Sequence, residues 1–277
     1  MVEIIMVKGT TMEKGGGFGL PQMSEREMFE QLLGEDLARA VDEPVIAANI
    51  GQQMLHMNLR VMPKSLRARI RDISGRIPAR NAVLVGGGIG HLAAWLLDLW
   101  LGDPSEDNKT DLPRPDSFRI IEPAGKFGII IDRLIRRHGA ENWTQVLAHQ
   151  WKEITAETLS WSAATTVLPS SARPSPLPQP IDLIILDLPE NQKVSAAESA
   201  FEILAPGGFI LVSEPEVPTG EVPEPEVGEN LSDAQEKVAS FNHWINFIKF
   251  VNESHTIGFV ELSGATLAVI RRSDSTE

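Results

Sequence analysis

Three glycines and two carboxylates are the groups in this 277-residue chain best placed to do chemistry. Gly86, Gly88 and Gly90 occupy alternate positions between an apolar run at 82–85 and an apolar stretch of helical character at 91–101. A strand that turns into a helix through such glycines brings backbone close to a ligand with no Cβ in the way, and it offers the unpaired N–H groups of the helix start. Glu122 follows a second strand-like stretch at 118–121, and Asp187 follows a third at 181–186. The Ile184-Ile185-Leu186 run before Asp187 would raise a carboxyl pKa toward general-base work, the catalytic role assigned to it. Asp187 is equally suited to hydrogen-bond a cofactor or to cap the next helix. Cysteine and tyrosine are absent, which excludes disulfides, thiolate metal sites, Cys nucleophiles and phenolic acid-base chemistry. His56, His91, His138, His149, His243 and His255 lack paired ligand spacing, so they read as structural and no metal is expected.

The elements that must hold these groups alternate along the chain. Strands are expected at 82–85, 118–121, 144–148, 181–186 and 209–212, with helices at 91–101, 126–138, 194–204 and 232–252. Pro206-Gly207-Gly208 reads as a turn, and strands at 255–262 and 266–271 meet at Ser263-Gly264 as an antiparallel hairpin. Such alternation implies an α/β, Rossmann-like, doubly wound and mostly parallel seven-stranded sheet covered on both faces. Ahead of it lie a loose segment at 1–22, where 2–7 could add a strand, and a helical extension at 23–80. In that extension residues 24–37 and 44–59 carry helical periodicity. Ser24 and Glu27 form a capping box, and Met54, Met57 and Met62 read as core filling. The sheet domain spans 81–277, with inserted loops at 102–117, 168–180 and 214–230.

The formal net charge of −13 is unevenly spread. The loops at 102–117 and 214–230 carry −3 and −6, so they hold most of the acidity. Residues 60–80 carry +6, from Arg60, Lys64, Arg67, Arg69, Arg71, Arg76 and Arg80 against Asp72 alone. The simplest reading is a solvated helix face; a surface for a nucleic acid is the alternative. The acidic 214–230 loop reads as a solvated linker, with a lid over the strand ends as its alternative. A balance of 42 % hydrophobic and 23 % charged residues describes a globular protein. With no 18-residue apolar run and no signal-like start, the expected setting is cytoplasmic and away from membranes.

Two nucleotide-binding families compete for the glycine turn. Val83-Leu84-Val85-Gly86-Gly87-Gly88-Ile89 is similar to the opening of flavin- or nicotinamide-binding domains, but the third glycine of their fingerprint is His91 here. From residue 81 onward the sequence more fully resembles the class I S-adenosylmethionine-dependent methyltransferases. The resemblance rests on Gly86-x-Gly88-x-Gly90, on Glu122 and Asp187, and on Leu204-Ala205-Pro206-Gly207-Gly208-Phe209-Ile210-Leu211-Val212 before the terminal hairpin. It implies S-adenosylmethionine as cofactor, with Gly86, Gly88 and Gly90 beneath its methionine part and Glu122 on its ribose hydroxyls. Gln150 and Trp151 would border adenine, with a role as an ordinary core residue the alternative for Trp151, and Asp187 would sit where cofactor meets acceptor. The family's usual acid two residues before the first glycine is Leu84 here. Leu186-Asp187-Leu188-Pro189 is also similar to transfer-RNA adenine-N1 methyltransferases, though Glu190-Asn191-Gln192-Lys193 lacks their aromatic residue. The resemblance implies methyl transfer, and a small organic acceptor is expected because the scaffold is not strongly basic. RNA modification, a catalytically degenerate scaffold and, last, an oxidoreductase are the alternatives. A homo-oligomer is compatible with this reading.

Overall fold

Side chains that alternate between the two faces of short apolar strands require cover on both sides. The computed structural model describes residues 24–34, 42–106, 110–164, 175–220, 222–223 and 231–274. The loose segment, the strand expected at 2–7, residues 35–37 and parts of all three loops lie outside them. The strands are β1 (Asn81–Val85), β2 (Ser117–Ile121), β3 (Thr144–Leu147), β4 (Ile181–Leu186), β5 (Leu204–Ser213), β6 (Thr256–Leu262) and β7 (Ala265–Arg271). They form one seven-stranded sheet in the order β3-β2-β1-β4-β5-β7-β6. The first five run parallel, while β7 is antiparallel to both β5 and β6. The expected Rossmann-like sheet with its terminal hairpin is thus the observed architecture. Because β1 lies between β2 and β4, the winding reverses there and opens a crevice at the strand carboxyl ends.

The strand alternation sorts the core into two layers. Leu84, Phe118, Ile120, Leu183 and Ile185 pack on one face, beneath α4 (His91–Leu101) and α5 (Gly125–Arg137). Val83, Val85, Ile121, Ile184 and Leu186 pack on the other, with α6 (Trp151–Ala164), α7 (Glu190–Ile203) and α8 (Asp233–Ser254). Helix α6 had no counterpart in the periodicity reading, because Thr155, Thr158 and Ser160 interrupt its apolar series. Helix α7 starts before the expected position 194, directly after Pro189, whose fixed φ suits a helix entry. Strand β5 takes in the Pro206-Gly207-Gly208 segment, with a register shift against β4 between Ile181 and Leu183.

The extension forms a further layer. Helix α1 (Glu25–Leu33) begins at the Ser24–Glu27 capping box and stops at Gly34, before the expected end at 37. Helices α2 (Val45–His56) and α3 (Lys64–Ser74) lie over α4, whose residues are buried almost throughout. Phe29, Leu33, Leu66, Ile70 and Ile73 join the same cluster as the sheet. Met54 and Met62 are buried as expected, but Met57 lies past the last turn of α2 and is 48 % exposed. Helix α1 also rests on β6, where a Cβ at Gly258 would collide with Leu33. Glu25 there accepts hydrogen bonds from Arg271 and from Thr256 Oγ1.

The basic segment is not the solvated face its charge suggested. Arg67 and Arg69 are 4 % and 7 % exposed. Arg67 pairs with Glu43 at 2.7 Å, Arg71 with Asp98 at 2.6 Å, and Arg69 and Arg76 share Asp72. Arg69 and Arg76 also donate to the carbonyl of Gly34, satisfying oxygens that the end of α1 leaves without partners. These guanidinium groups fasten α1 and α4 to α3. No helix among the described residues is long and apolar enough to cross a membrane.

Candidate functional site

The carboxyl ends of β1, β2, β3 and β4 are tied together by backbone. Gly86 and Gly87 donate to the Ile121 carbonyl at 3.0 and 3.1 Å, Glu122 donates to Leu147 O, and Asp187 donates to Val85 O. The glycine turn then rises in a conformation that side chains resist. Gly86 has φ +88° and a Cβ on it would drive into the Asp187 carbonyl, so the β1 and β4 ends approach this closely only with glycine there. Gly88, at φ +52°, differs in that a Cβ on it would meet nothing within 4 Å. The space above Gly88 is therefore open, and the backbone of the turn faces it.

Glu122 reaches the same turn. Its Oε2 accepts from Gly88 N at 2.6 Å and its Oε1 from Ala124 N at 2.9 Å. Burial pushes its carboxyl up from the usual range, and the two N–H donors oppose that rise. The glycine turn and the strand-end acid, 34 residues apart in sequence, are thus one hydrogen bond apart. Gln150 stands exposed at the start of α6, its carbonyl accepting from Glu153 N and Ile154 N. Trp151 is buried, and its Nε1 donates to Ala196 O and Ser199 Oγ of α7. That placement makes Trp151 a wedge between α6 and α7, and its N–H is already used. An open stacking platform for adenine is not what this arrangement provides.

Asp187 lies across the crevice, and here side chains take over from backbone. Arg60, in the segment between α2 and α3, donates from Nη2 to Asp187 Oδ1 at 2.7 Å. The side chains are 48 % and 21 % exposed, so the pair sits at the mouth of the crevice. Burial pushes the Asp187 carboxyl up, and the charges of Arg60, Lys193 and Arg67 pull it back. Lys193, in the first turns of α7, is buried and donates to Glu190 Oε1 and to Glu214 O. Burial lowers its pKa, against the pull of Glu190. Glu190 in turn accepts from Glu216 N, which fixes the start of the 214–230 loop against α7.

A second polar group flanks the turn. His91, the residue after the last motif glycine, is buried against Gly51 of α2, with Nε2 3.3 Å from Glu43 Oε1. Burial and the Arg67 charge hold His91 below its ordinary pKa and therefore neutral at pH 7, with Glu43 opposing. Burial raises the Glu43 carboxyl, but Arg67 and His91 outweigh it. The bulk of His91 where a glycine would bring α4 against the sheet is accommodated by Gly51 opposite. Of the residues singled out in the sequence, Gly86, Gly88, Glu122 and Asp187 meet at the carboxyl ends of β1, β2 and β4, whereas Gly90 faces Leu134 and Ile131 in the core. Sequence reading missed Arg60, Lys193 and Glu43; the Glu190–Lys193 spacing of three was the one local signal available. Among the described residues no three His, Asp or Glu side chains converge as metal ligands.

No family model matches the chain, and no curated protein sequence matches it. Solved structures do. An O-methyltransferase of Streptomyces achromogenes involved in tomaymycin synthesis, in complex with S-adenosylmethionine, superposes with TM-score 0.56 at 14 % identity, covering 85 % of this chain and 93 % of that one. An O-methyltransferase of Bacillus cereus in complex with S-adenosylhomocysteine gives 0.51 at 18 % identity over 83 % and 92 %. A methyltransferase of Geobacter sulfurreducens gives 0.54 at 11 % over 92 % and 100 %. At these identities the superpositions show a shared fold: this chain folds as these methyltransferases do.

Proposed function

We propose that this chain binds S-adenosylmethionine and transfers its methyl group to a small organic acceptor. The observation that carries the reading is the Gly88 N–H to Glu122 hydrogen bond, which joins the glycine turn to the carboxylate proposed to take the ribose hydroxyls. The residues fit the cofactor. Open space above Gly88 leaves room for the methionine part, and Glu122 offers oxygen acceptors to two ribose hydroxyls by exchanging its backbone donors. The sulfonium supplies the leaving group. The chain's own task is then to align the acceptor and take its proton. Asp187, with a carboxyl raised by burial and placed across from the turn, is the group proposed to receive that proton from an acceptor hydroxyl or amine. For it to do so, Arg60 must release Oδ1 or share it. Pairing of five arginines of the basic segment with carboxylates favours a small acceptor over RNA.

One observation favours a second reading, a methyltransferase fold kept as a binding scaffold: Glu122 and Asp187 are both already satisfied by protein groups. Thermal-shift titration separates the two. Stabilisation by S-adenosylmethionine and S-adenosylhomocysteine, absent with NAD and FAD and weakened in Glu122→Ala, is the outcome expected for methyl transfer. No response to any of the four ligands supports the scaffold.

A further inference from the structure

We propose that Arg60 selects an acceptor carrying a carboxylate close to the hydroxyl or amine that takes the methyl group, a role that rests on the methyl-transfer reading of the crevice. In this arrangement the carboxylate lies on the edge of the guanidinium that Asp187 leaves free. The hydroxyl or amine of the same molecule then faces the second oxygen of Asp187.

Arg60 differs from its neighbours in the basic segment in how few of its donors are used. Arg67 donates from two nitrogens, to Glu43 and to the Met62 carbonyl, and Arg71 from two, to Asp98 and to the Trp95 carbonyl. Arg69 and Arg76 are taken up by Asp72 and by carbonyls at the end of α1. Among the described residues Arg60 donates through Nη2 alone, to Asp187 Oδ1 at 2.7 Å, and its side chain is 48 % exposed. A guanidinium carries its N–H donors in a planar fork, so the remaining donors of Arg60 are open at the crevice mouth.

Those donors stand at a fixed place. Arg60 belongs to the short segment between α2 and α3, which is held on either side of it. Leu59 N donates to Met54 O at 2.9 Å, the Met62 side chain is buried, and the Met62 carbonyl accepts from Arg67. Across the pair, the Asp187 N–H donates to Val85 O, which sets the acid beside the glycine turn. Oδ2 of Asp187 accepts no hydrogen bond from the described residues, so it is left to receive one from the acceptor.

Charge sets the class of ligand. Arg60 and Lys193 both act on the Asp187 carboxyl, but Lys193 is already bonded to Glu190 and to the Glu214 carbonyl. Arg60 is therefore the cation of the pair with donors left for an incoming anion. A carboxylate matches two parallel N–H groups of its fork. Asp187 follows β4 and Glu190 opens α7 just after it, so a singly charged carboxylate meets less repulsion there than a phosphate dianion.

The test uses protein saturated with S-adenosylhomocysteine and titrated by calorimetry with matched pairs: 2-hydroxybenzoate and 2-hydroxybenzamide, 2-aminobenzoate and 2-aminobenzamide, lactate and lactamide. In at least one pair the acid is expected to bind about tenfold more tightly than the amide. Arg60→Gln should abolish that preference, and Arg60→Lys, which keeps the charge but not the fork, should reduce it to about threefold. Both variants should hold S-adenosylhomocysteine within about twofold of wild type, since Arg60 is half exposed and lies off the glycine turn. Asp187→Asn should keep the preference for the acid, because its loss frees Arg60. S-adenosylhomocysteine binding with no acid preferred over its amide, or a preference that survives Arg60→Gln, overturns the role of Arg60 and leaves methyl transfer standing. No binding of S-adenosylhomocysteine overturns the methyl-transfer reading itself, and this role with it.

Discussion

Around the glycine turn the contacts are made by backbone: amides of Gly86, Gly87, Gly88 and Ala124 meet the Ile121 carbonyl and the Glu122 carboxylate. Around Asp187 they are made by long side chains that come from the extension and from α7, namely Arg60 and Lys193. Backbone geometry of this kind follows from strand order and a few glycines, so it recurs wherever the fold does. Long charged side chains can be exchanged without disturbing the sheet, so the acceptor side is where one member of such a fold can differ from another. The same contrast separates rigidity from adjustability, since the turn is fixed by close approach whereas the Arg60 pair is half exposed.

The contrast is broken most severely at Gly86. Gly86→Ala should cost at least about 3 kcal/mol in denaturant unfolding, because the methyl collides with backbone at Asp187 and the φ of +88° is disfavoured for alanine. Gly88→Ala, with nothing near its Cβ, should cost only about 1 kcal/mol. It should nevertheless weaken S-adenosylhomocysteine about tenfold if that space holds the ligand. Similar stability losses at both glycines would remove the distinction between a packed and an open face of the turn.

A smaller effect is expected at the charge cluster beside the turn. Arg67→Ala should cost about 2–3 kcal/mol, since it strips Glu43 of its partner and removes the guanidinium 5.6 Å from the Trp95 ring. Glu43 is 23 % exposed, which moderates the loss. A cost below 0.5 kcal/mol would mean that water replaces the arginine fully.

The smallest effect belongs to the crevice mouth, and it depends on pH. Asp187 has a folded pKa raised above its unfolded value, so its stabilising share is present below pH 3.8 and is lost as pH rises through the folded value. Arg60 limits that loss by favouring the charged form. Arg60→Gln should therefore be close to neutral at low pH, where Asp187 is protonated, and cost about 1 kcal/mol at pH 8, where it is charged without its partner. Urea titrations of wild type and variant at the two pH values test this, with Asp187→Asn in both backgrounds as control. A cost independent of pH would place the role of Arg60 elsewhere.

Legibility in the sequence follows the same division. The short strands, the glycine turn and the two strand-end acids were readable because each is encoded locally, as was the Ser24–Glu27 capping box at the start of α1. Arg60 and Asp187 are 127 residues apart, and neither position marks the other. The buried arginines of α3 were misread for a related reason. Their charge run is local, but the acids that neutralise it, Glu43 and Asp98, lie outside that run on other parts of the fold. Trp151 was assigned by its position after β3, and only α7 behind it reveals why its indole turns inward.

The contact of α1 with β6 sets a condition on synthesis. A chain made from its amino end presents Phe29 and Leu33 early, yet the strand that covers them includes Gly258, and Glu25 finds Arg271 only when β7 exists. The first helix can meet α3 early through Arg69 and Arg76, but the part of its apolar face that rests on β6 waits until residues 256–271 are made. Completion of the fold is a late, long-range closure, of the kind that slows folding and leaves apolar surface open to capture by chaperones in the interval.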